Sequence, residues 1–194
     1  MAEDVLLIDD PAPKIRRLTL NRPDKRNALD DSLRGALFDA LRAGDRDKDV
    51  SVMIVRGAGK CFSAGYDLSK PNRPVERTTA YQDGWWARHV VNNWFEMWDM
   101  STPIIGQVHG WCLAGGSELA TACDLVYVAD DAQIGYPPVR LMSPPDMQWR
   151  TWMMGLRRGM EALLTGDAMS GTEAVESGYA NRSFAEGALD DEVL

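Results

Sequence analysis

The chain is expected to fold as an α/β layered protein, because short β-branched apolar runs alternate along it with stretches of helical periodicity. Apolar residues make up 45% of its 194 positions, enough for one sizeable core and short of what two domains need, so a single domain over 1–194, with a core at about 5–184, is expected. Glycines follow two of the apolar runs, in "FSAG" and "LAGG", and the second opens directly into an apolar helix.

Taken in order, "VLLID" and "IRRLTL" predict two strands separated by the turn-forming "DPAPK". "NRPDKRNALDD" is a polar loop into a helix that starts near Asp30 or Asp31, where Leu33, Leu37, Phe38 and Leu41 recur at helical spacing until the charged "RAGDRDKD" closes the element. "VSVMIVRGAG" is too β-branched for a helix and predicts a strand stopped by glycines. "KPNRPVERTTAYQ" predicts a surface loop over 70–82. "WWARHVVNNWFEMWDM" places Trp86, Val90, Trp94 and Met97 or Trp98 on one helical face, which core packing explains. "IIGQVHG", "LVYVAD" and "QIGYP" predict three further strands, with a helix from "GGSELATAC" after the first. Past the proline-rich "GYPPVRLMSPPD", helices are expected at "MQWRTWMMG" and "RRGMEALLTG". In "SGTEAVESGYA", Ser170 and Glu173 form a capping box and Gly178 suits the helix's far end. "LDDEVL" reads as the first turn of a helix that continues beyond the chain given.

The net charge of −8 argues against broad contact with nucleic acid, so any phosphate binding must be local. Cys61, Cys112 and Cys123 show neither metal-ligand spacing nor an even-numbered framework and read as buried thiols of a reducing cytoplasm. The acidic "MAEDVLLIDD" lacks a signal-peptide layout, and no apolar run reaches membrane-spanning length.

Several motifs fail on spacing. "GAGKCF" has Phe62 where a dinucleotide fingerprint needs its last glycine, and it lacks the P-loop order. "GGSEL" has Leu119 where a nucleophile elbow needs glycine, and neither His89 nor His109 has a relay partner in sequence. What remains is a pair of glycine-bearing turns after strands. Peptide N–H groups from two such loops can converge on one oxygen that is gaining negative charge, with Glu118 one turn into the helix beyond. A plain turn and a first-turn glutamate facing the helix dipole are the alternatives.

Four ordered stretches, "LTLNRPDKRNALD", "GAGKCFSAGYDLS", "VHGWCLAGGSELATACDLVYVADDAQIGYP" and "LLTGDAMSGTEAVESGYANR", carry a resemblance to the crotonase (enoyl-CoA hydratase/isomerase) superfamily from about Ile15 to Phe184. The resemblance implies a ββα superhelix of layered sheets with surrounding helices. It further implies a coenzyme A thioester as substrate with no other cofactor and no metal, and assembly as trimers or dimers of trimers, with C-terminal helices completing the site and the trimer contacts. By position, Ala64 and Gly115 match the two oxyanion-hole peptides that grip the thioester carbonyl. Lys25, Arg26 and Ala28 lie in the stretch that lines the CoA site; Ser63, Gly65, Tyr66, Asp67 and Leu68 flank the ligand, as does Gly116. Glu118 matches the first of two catalytic glutamates of the hydratases.

The second glutamate's place holds Pro138, which can neither give nor take a proton. Asp146, eight residues on, has two readings: an N-cap of the following helix, or a reacting carboxylate like that of the 4-chlorobenzoyl-CoA dehalogenases of the same superfamily. Tyr136 and Arg140 are further candidates for the same pocket, and Trp85, Trp86 and His89 for the acyl pocket. Three functions stay open: hydration of a 2-enoyl-CoA; another superfamily reaction such as isomerisation, decarboxylation, dehalogenation or thioester hydrolysis; and acyl-CoA binding without catalysis.

Overall fold

The computed structural model describes residues 4–69, 84 and 86–194. The loop expected over 70–82 and Trp85 lie outside them.

Two sheets carry the architecture. The larger has the order β1-β2-β3-β4-β6-β9, formed by β1 (Leu6–Ala12), β2 (Ile15–Leu20), β3 (Val52–Gly57), β4 (Ile104–Val108), β6 (Leu125–Ala129) and β9 (Arg182–Phe184). Only β1 and β2 pair antiparallel; the other neighbours are parallel. The central strands are buried along most of their length because helices cover a parallel sheet, which is why β3 reads as an unbroken apolar run. The smaller sheet joins β5 (Trp111–Leu113), β7 (Gln133–Gly135) and β8 (Ala168–Ser170).

Helix α1 (Asp31–Arg46) starts where the cap signal places it: Asp30 accepts a hydrogen bond from Leu33 N at 2.9 Å. Its apolar stripe of Leu33, Leu37, Phe38 and Leu41 is fully buried. The tryptophan-rich segment begins with a π-helical turn (Ala87–Val91) and continues as α2 (Asn92–Asp99). Val90, Trp94 and Met97 point inward while Trp98 is half exposed, so Met97 is the residue that completes the stripe. Phe38 and Trp94 meet at 5.4 Å between ring centroids and tie α1 to α2. Then follow α3 (Gly115–Ala122), α4 (Trp149–Met153), α5 (Leu156–Thr165), α6 (Gly171–Glu176) and α7 (Leu189–Val193). Both halves of the Ser170–Glu173 capping box are present at the start of α6, and Gly178 beyond it has φ +82°. The three cysteines are buried and free.

Some boundaries differ from the sequence reading. "DPAPK" is not all turn: β1 continues through Asp9 and Asp10 to Ala12, with an irregularity between Asp9 and Ala12, and only Pro13 and Lys14 make the bend. Cross-strand pairs of Asp9 with Arg17 and Asp10 with Arg16 hold those acidic residues in the strand. Strands β5, β8 and β9, of three residues each, were not expected, whereas the equally short β7 was read from "QIGYP".

Leu37 is fully buried in the α1 stripe. Leu37→Ala is predicted to cost about 2–5 kcal/mol, read as a lower urea midpoint with an unchanged m-value.

Candidate active site

The site forms where the turn after β3 meets the turn between β5 and α3. Ser63 N donates to Trp111 O at 3.1 Å and Leu113 N to Ser63 O at 2.9 Å, which lashes the two turns together. Beneath them Asn27, fully buried, donates from its side-chain amide to Ala58 O and Cys61 O and accepts from Arg22 N, so the loop before α1 is stapled to the same place. Gly65 has φ +98°, and a Cβ there would lie 2.7 Å from the Ala114 Cβ and 3.1 Å from Gly115 N; glycine is required by both backbone angle and space. Ala114 itself has φ +50° and ψ −124°, a strained backbone for alanine, immediately before the first residue of α3.

This geometry corrects one oxyanion-hole expectation. Ala64 N–H is not available, because it donates to Arg26 O at 2.9 Å. From the same turn it is Tyr66 N–H, and from the second turn Gly115 N–H at the mouth of α3, that have no acceptor among the described residues. The two turns touch: a Cβ on Gly115 would meet the Tyr66 ring at 2.8 Å.

Glu118 sits one turn into α3 and is only 4% exposed. Its Oε2 accepts from Tyr66 OH at 2.7 Å and its Oε1 from Asp146 N at 3.0 Å. Trp94 Nε1 donates in turn to Tyr66 OH at 3.2 Å. Burial and the neighbouring Asp146 carboxylate raise Glu118 to about 7, against the pull of the two hydrogen bonds and of Arg150. Burial also raises Asp146, opposed by a 2.7 Å hydrogen bond from Trp86 Nε1 to Asp146 Oδ2. Burial and the Glu118 charge push the Tyr66 hydroxyl well up, so it stays a donor.

Asp146 is therefore not a helix cap. Helix α4 begins at Trp149 with Gln148 at its cap position, and Asp146 instead turns its main chain to Glu118 and its carboxylate to Trp86. It lines a cleft of about 500 Å³ whose walls are otherwise largely apolar, including Tyr66, Trp86, Leu113, Tyr136 and Met142. Ala64, Leu68 and Pro138 also face this cleft. Arg140 does not: it is exposed, donating to Thr165 O and pairing with Asp167. His89 is exposed on the π-helical turn, and His109 lies against Gly59 O.

The other expected ligand residues divide in two. Lys25 and Arg26 are exposed and Ala28 is half-buried, on the loop that reaches the Ala64 peptide. Ser63, Asp67 and Gly116 are buried and hold the turns. Ser63 Oγ donates to Asn27 O, Asp67 pairs with Arg22 at 2.9 Å, and a Cβ on Gly116 would meet the Ser63 Cβ at 2.8 Å. Hydrogen bonds from Ser69 and Arg22 hold Asp67 down at about 2. Sequence reasoning missed Arg22, Asn27 and Arg34. The Arg34 guanidinium lies 5.9 Å from the Tyr66 ring centroid and 6.0 Å from that of Trp86, supporting both aromatic residues of the site. Arg22 and Asn27 lie in the quoted "NRPDKRNALD", but nothing in one sequence pairs Arg22 with Asp67, 45 positions away.

The family model described as enoyl-CoA hydratase/isomerase matches residues 12–194. The chain is 33% identical to a probable enoyl-CoA hydratase of Mycobacterium leprae, over 94% of this chain and 69% of that protein. It is 32% identical to a probable enoyl-CoA hydratase of Rhizobium meliloti, over 100% and 74%. A hydroxycinnamoyl-CoA hydratase-lyase of Pseudomonas fluorescens is 32% identical over 84% of this chain, which spans 61% of that protein. Among solved structures, a probable enoyl-CoA hydratase from Mycobacterium smegmatis superposes with a TM-score of 0.88 at 33% identity, covering 100% of this chain and 76% of the other.

The raised Glu118 gives a stability prediction with a defined sign. Folded, Glu118 keeps its proton to about pH 7, whereas its ordinary value is 4.5, so between these values the folded chain binds more protons and loses stability as pH rises. Glu118→Gln removes that slope. Urea titrations are predicted to show the variant gaining on the wild type by up to about 3 kcal/mol between pH 4.5 and pH 8.

Proposed function

The chain belongs to the enoyl-CoA hydratase/isomerase family, and from that premise we propose that it adds water across the 2,3 double bond of a 2-enoyl-CoA. The observation that carries this reading is the buried Glu118, held by Tyr66 OH and Asp146 N–H, together with the Tyr66 and Gly115 N–H groups that have no acceptor among the described residues. In the proposed reaction the thioester oxygen accepts from Tyr66 N–H and Gly115 N–H, which draws electron density from C3. Ionised Glu118 removes a proton from water as the water oxygen bonds to C3, and the double-bond electrons move onto the thioester oxygen as an enolate. The enolate then collapses as C2 takes a proton from protonated Glu118 or from Asp146. Glu118's raised value suits it to both giving and taking a proton near neutral pH.

Pro138 removes the second carboxylate at its usual place, and Asp146 reaches Glu118 from a different point in the chain. The proposed division of labour needs only one carboxylate to be ionised at a time, which two neighbouring buried acids favour.

A second reading has support of its own. Asp146, not Glu118, forms part of the cleft wall, so Asp146 as the reacting carboxylate in isomerisation, dehalogenation or thioester hydrolysis is the alternative. Lys25 and Arg26, exposed beside the Ala64 turn, are proposed to meet the phosphates of coenzyme A. Assembly into trimers or dimers of trimers is proposed from the family resemblance and from exposed Phe95, Trp98 and Trp152. A cytoplasmic setting is proposed from three buried thiols that are free. No helix among the described residues is long and apolar enough to cross a membrane.

Crotonyl-CoA turnover, followed by loss of the enoyl-thioester absorbance, tests the assignment. Glu118→Gln is predicted to lower kcat by at least about 10²-fold with KM little changed, and Asp146→Asn to lower it by less. Turnover of crotonyl-CoA that survives Glu118→Gln but vanishes in Asp146→Asn would replace the first reading with the second.

A further inference from the structure

Glu118 borders a second, smaller cavity of about 10 Å³, room for one water molecule, which shares the Tyr136 wall with the cleft. Arg150, on the first turn of α4, forms part of its wall, as does Glu118. The Arg150 side chain is 3% exposed, and its Nη1 and Nη2 are sealed from solvent with no acceptor among the described residues. The guanidinium lies 5.4 Å from the Tyr179 ring centroid, a contact that eases its burial without satisfying an N–H. A buried cation is strongly disfavoured unless an anion faces it.

The candidate partners are few. Ser117 O already accepts from the hydroxyls of Thr121 and Tyr179, at 2.6 and 3.0 Å. Tyr136 OH is directed to Pro144 O. Asp146 is engaged by Trp86 and stands on the cleft side. The carboxylate on the cavity wall is that of Glu118.

We propose that Arg150 is a positioning residue: its guanidinium is the buried counter-charge of Glu118 across a one-water cavity, favouring the ionised carboxylate that accepts a proton from the attacking water. The water accepts from Arg150 Nη and donates to Glu118, so the charge reaches the carboxylate through this small cavity, whose wall Glu118 forms, and not through the cleft. This inference rests on the acid–base role of Glu118 given above. The other titratable groups that interact with Glu118 are Tyr66 on the turn after β3, Asp146 before α4 and Tyr136 after β7, while Tyr179 after α6 and Cys112 on β5 interact with Arg150. Apart from Arg150 they are neutral or acidic, and the influence of Arg150 on Glu118 is downward, as the pairing requires.

The test reads Glu118 directly. With glutamate labelled in its carboxyl carbon, the Glu118 band is identified by its loss in Glu118→Gln and titrated by infrared difference spectroscopy. Arg150→Met is expected to raise the Glu118 midpoint by about one unit and to move the acid limb of kcat/KM with it, leaving KM unchanged. Arg150→Lys, which keeps the charge, is expected to restore both. A midpoint that does not move in a folded Arg150→Met protein overturns the proposal; if that variant does not fold, Arg150→Gln carries the same comparison. Full turnover in Glu118→Gln would overturn the catalytic role on its own, while the titration separately decides the charge pairing.

Discussion

A carboxylate sealed in the interior is the constraint around which this site is arranged. Glu118 is nearly inaccessible, and an ion in such a place is tolerated only when hydrogen bonds and charges replace the water it has lost. Tyr66 OH and Asp146 N–H supply two of those hydrogen bonds, and each comes from a segment that also shapes the cleft. Trp94 steadies Tyr66 from α2, and Trp86 steadies Asp146 from the turn before it. Three segments far apart in sequence, the turn at Tyr66, the tryptophan-rich segment 86–99 and the stretch at Asp146, are thereby fixed relative to one carboxyl group. The same burial that makes Glu118 responsive near neutral pH makes it a stability cost in its ionised form, so function and folding pull in opposite directions at this residue.

The sheets explain why the two donor peptides can be held so close. β3 and β4 are parallel neighbours, so the turn that follows each leaves the sheet at the same edge. Short bridges from Cys61 to Gly110 and from Ser63 to Cys112 then carry the two chains side by side out of the sheet. Gly65, Gly115 and Gly116 are the points where any side chain would force these turns apart. The positive φ of Ala114 marks where backbone strain is accepted so that α3 can present Gly115 N–H.

Elements with a strong local signal were legible in the sequence: α1 through its stripe and Asp30 cap, β3 through its β-branched run, α6 through its capping box. The placement of Gly115 and Glu118 in the first turn of α3 was legible because glycine turn, helix start and carboxylate lie within four residues. Asp146 was misread as a possible cap because its partners are Glu118, 28 positions back, and Trp86, 60 positions back. Ala64 was misassigned because which N–H of "SAGY" is free depends on the Arg26 carbonyl, a contact between loops that no local pattern encodes. Arg34 and Arg150 escaped notice for a similar reason, since arginine reads as surface unless its burial is seen.

The most direct test of the account is a crystal structure with a saturated acyl-CoA bound. The thioester oxygen is predicted to lie about 3 Å from both Tyr66 N and Gly115 N, with C3 facing Glu118 and Asp146 and the acyl chain in the cleft beside Trp86 and Tyr136. A thioester oxygen seated elsewhere, or an acyl chain whose C3 is out of reach of Glu118, would contradict it.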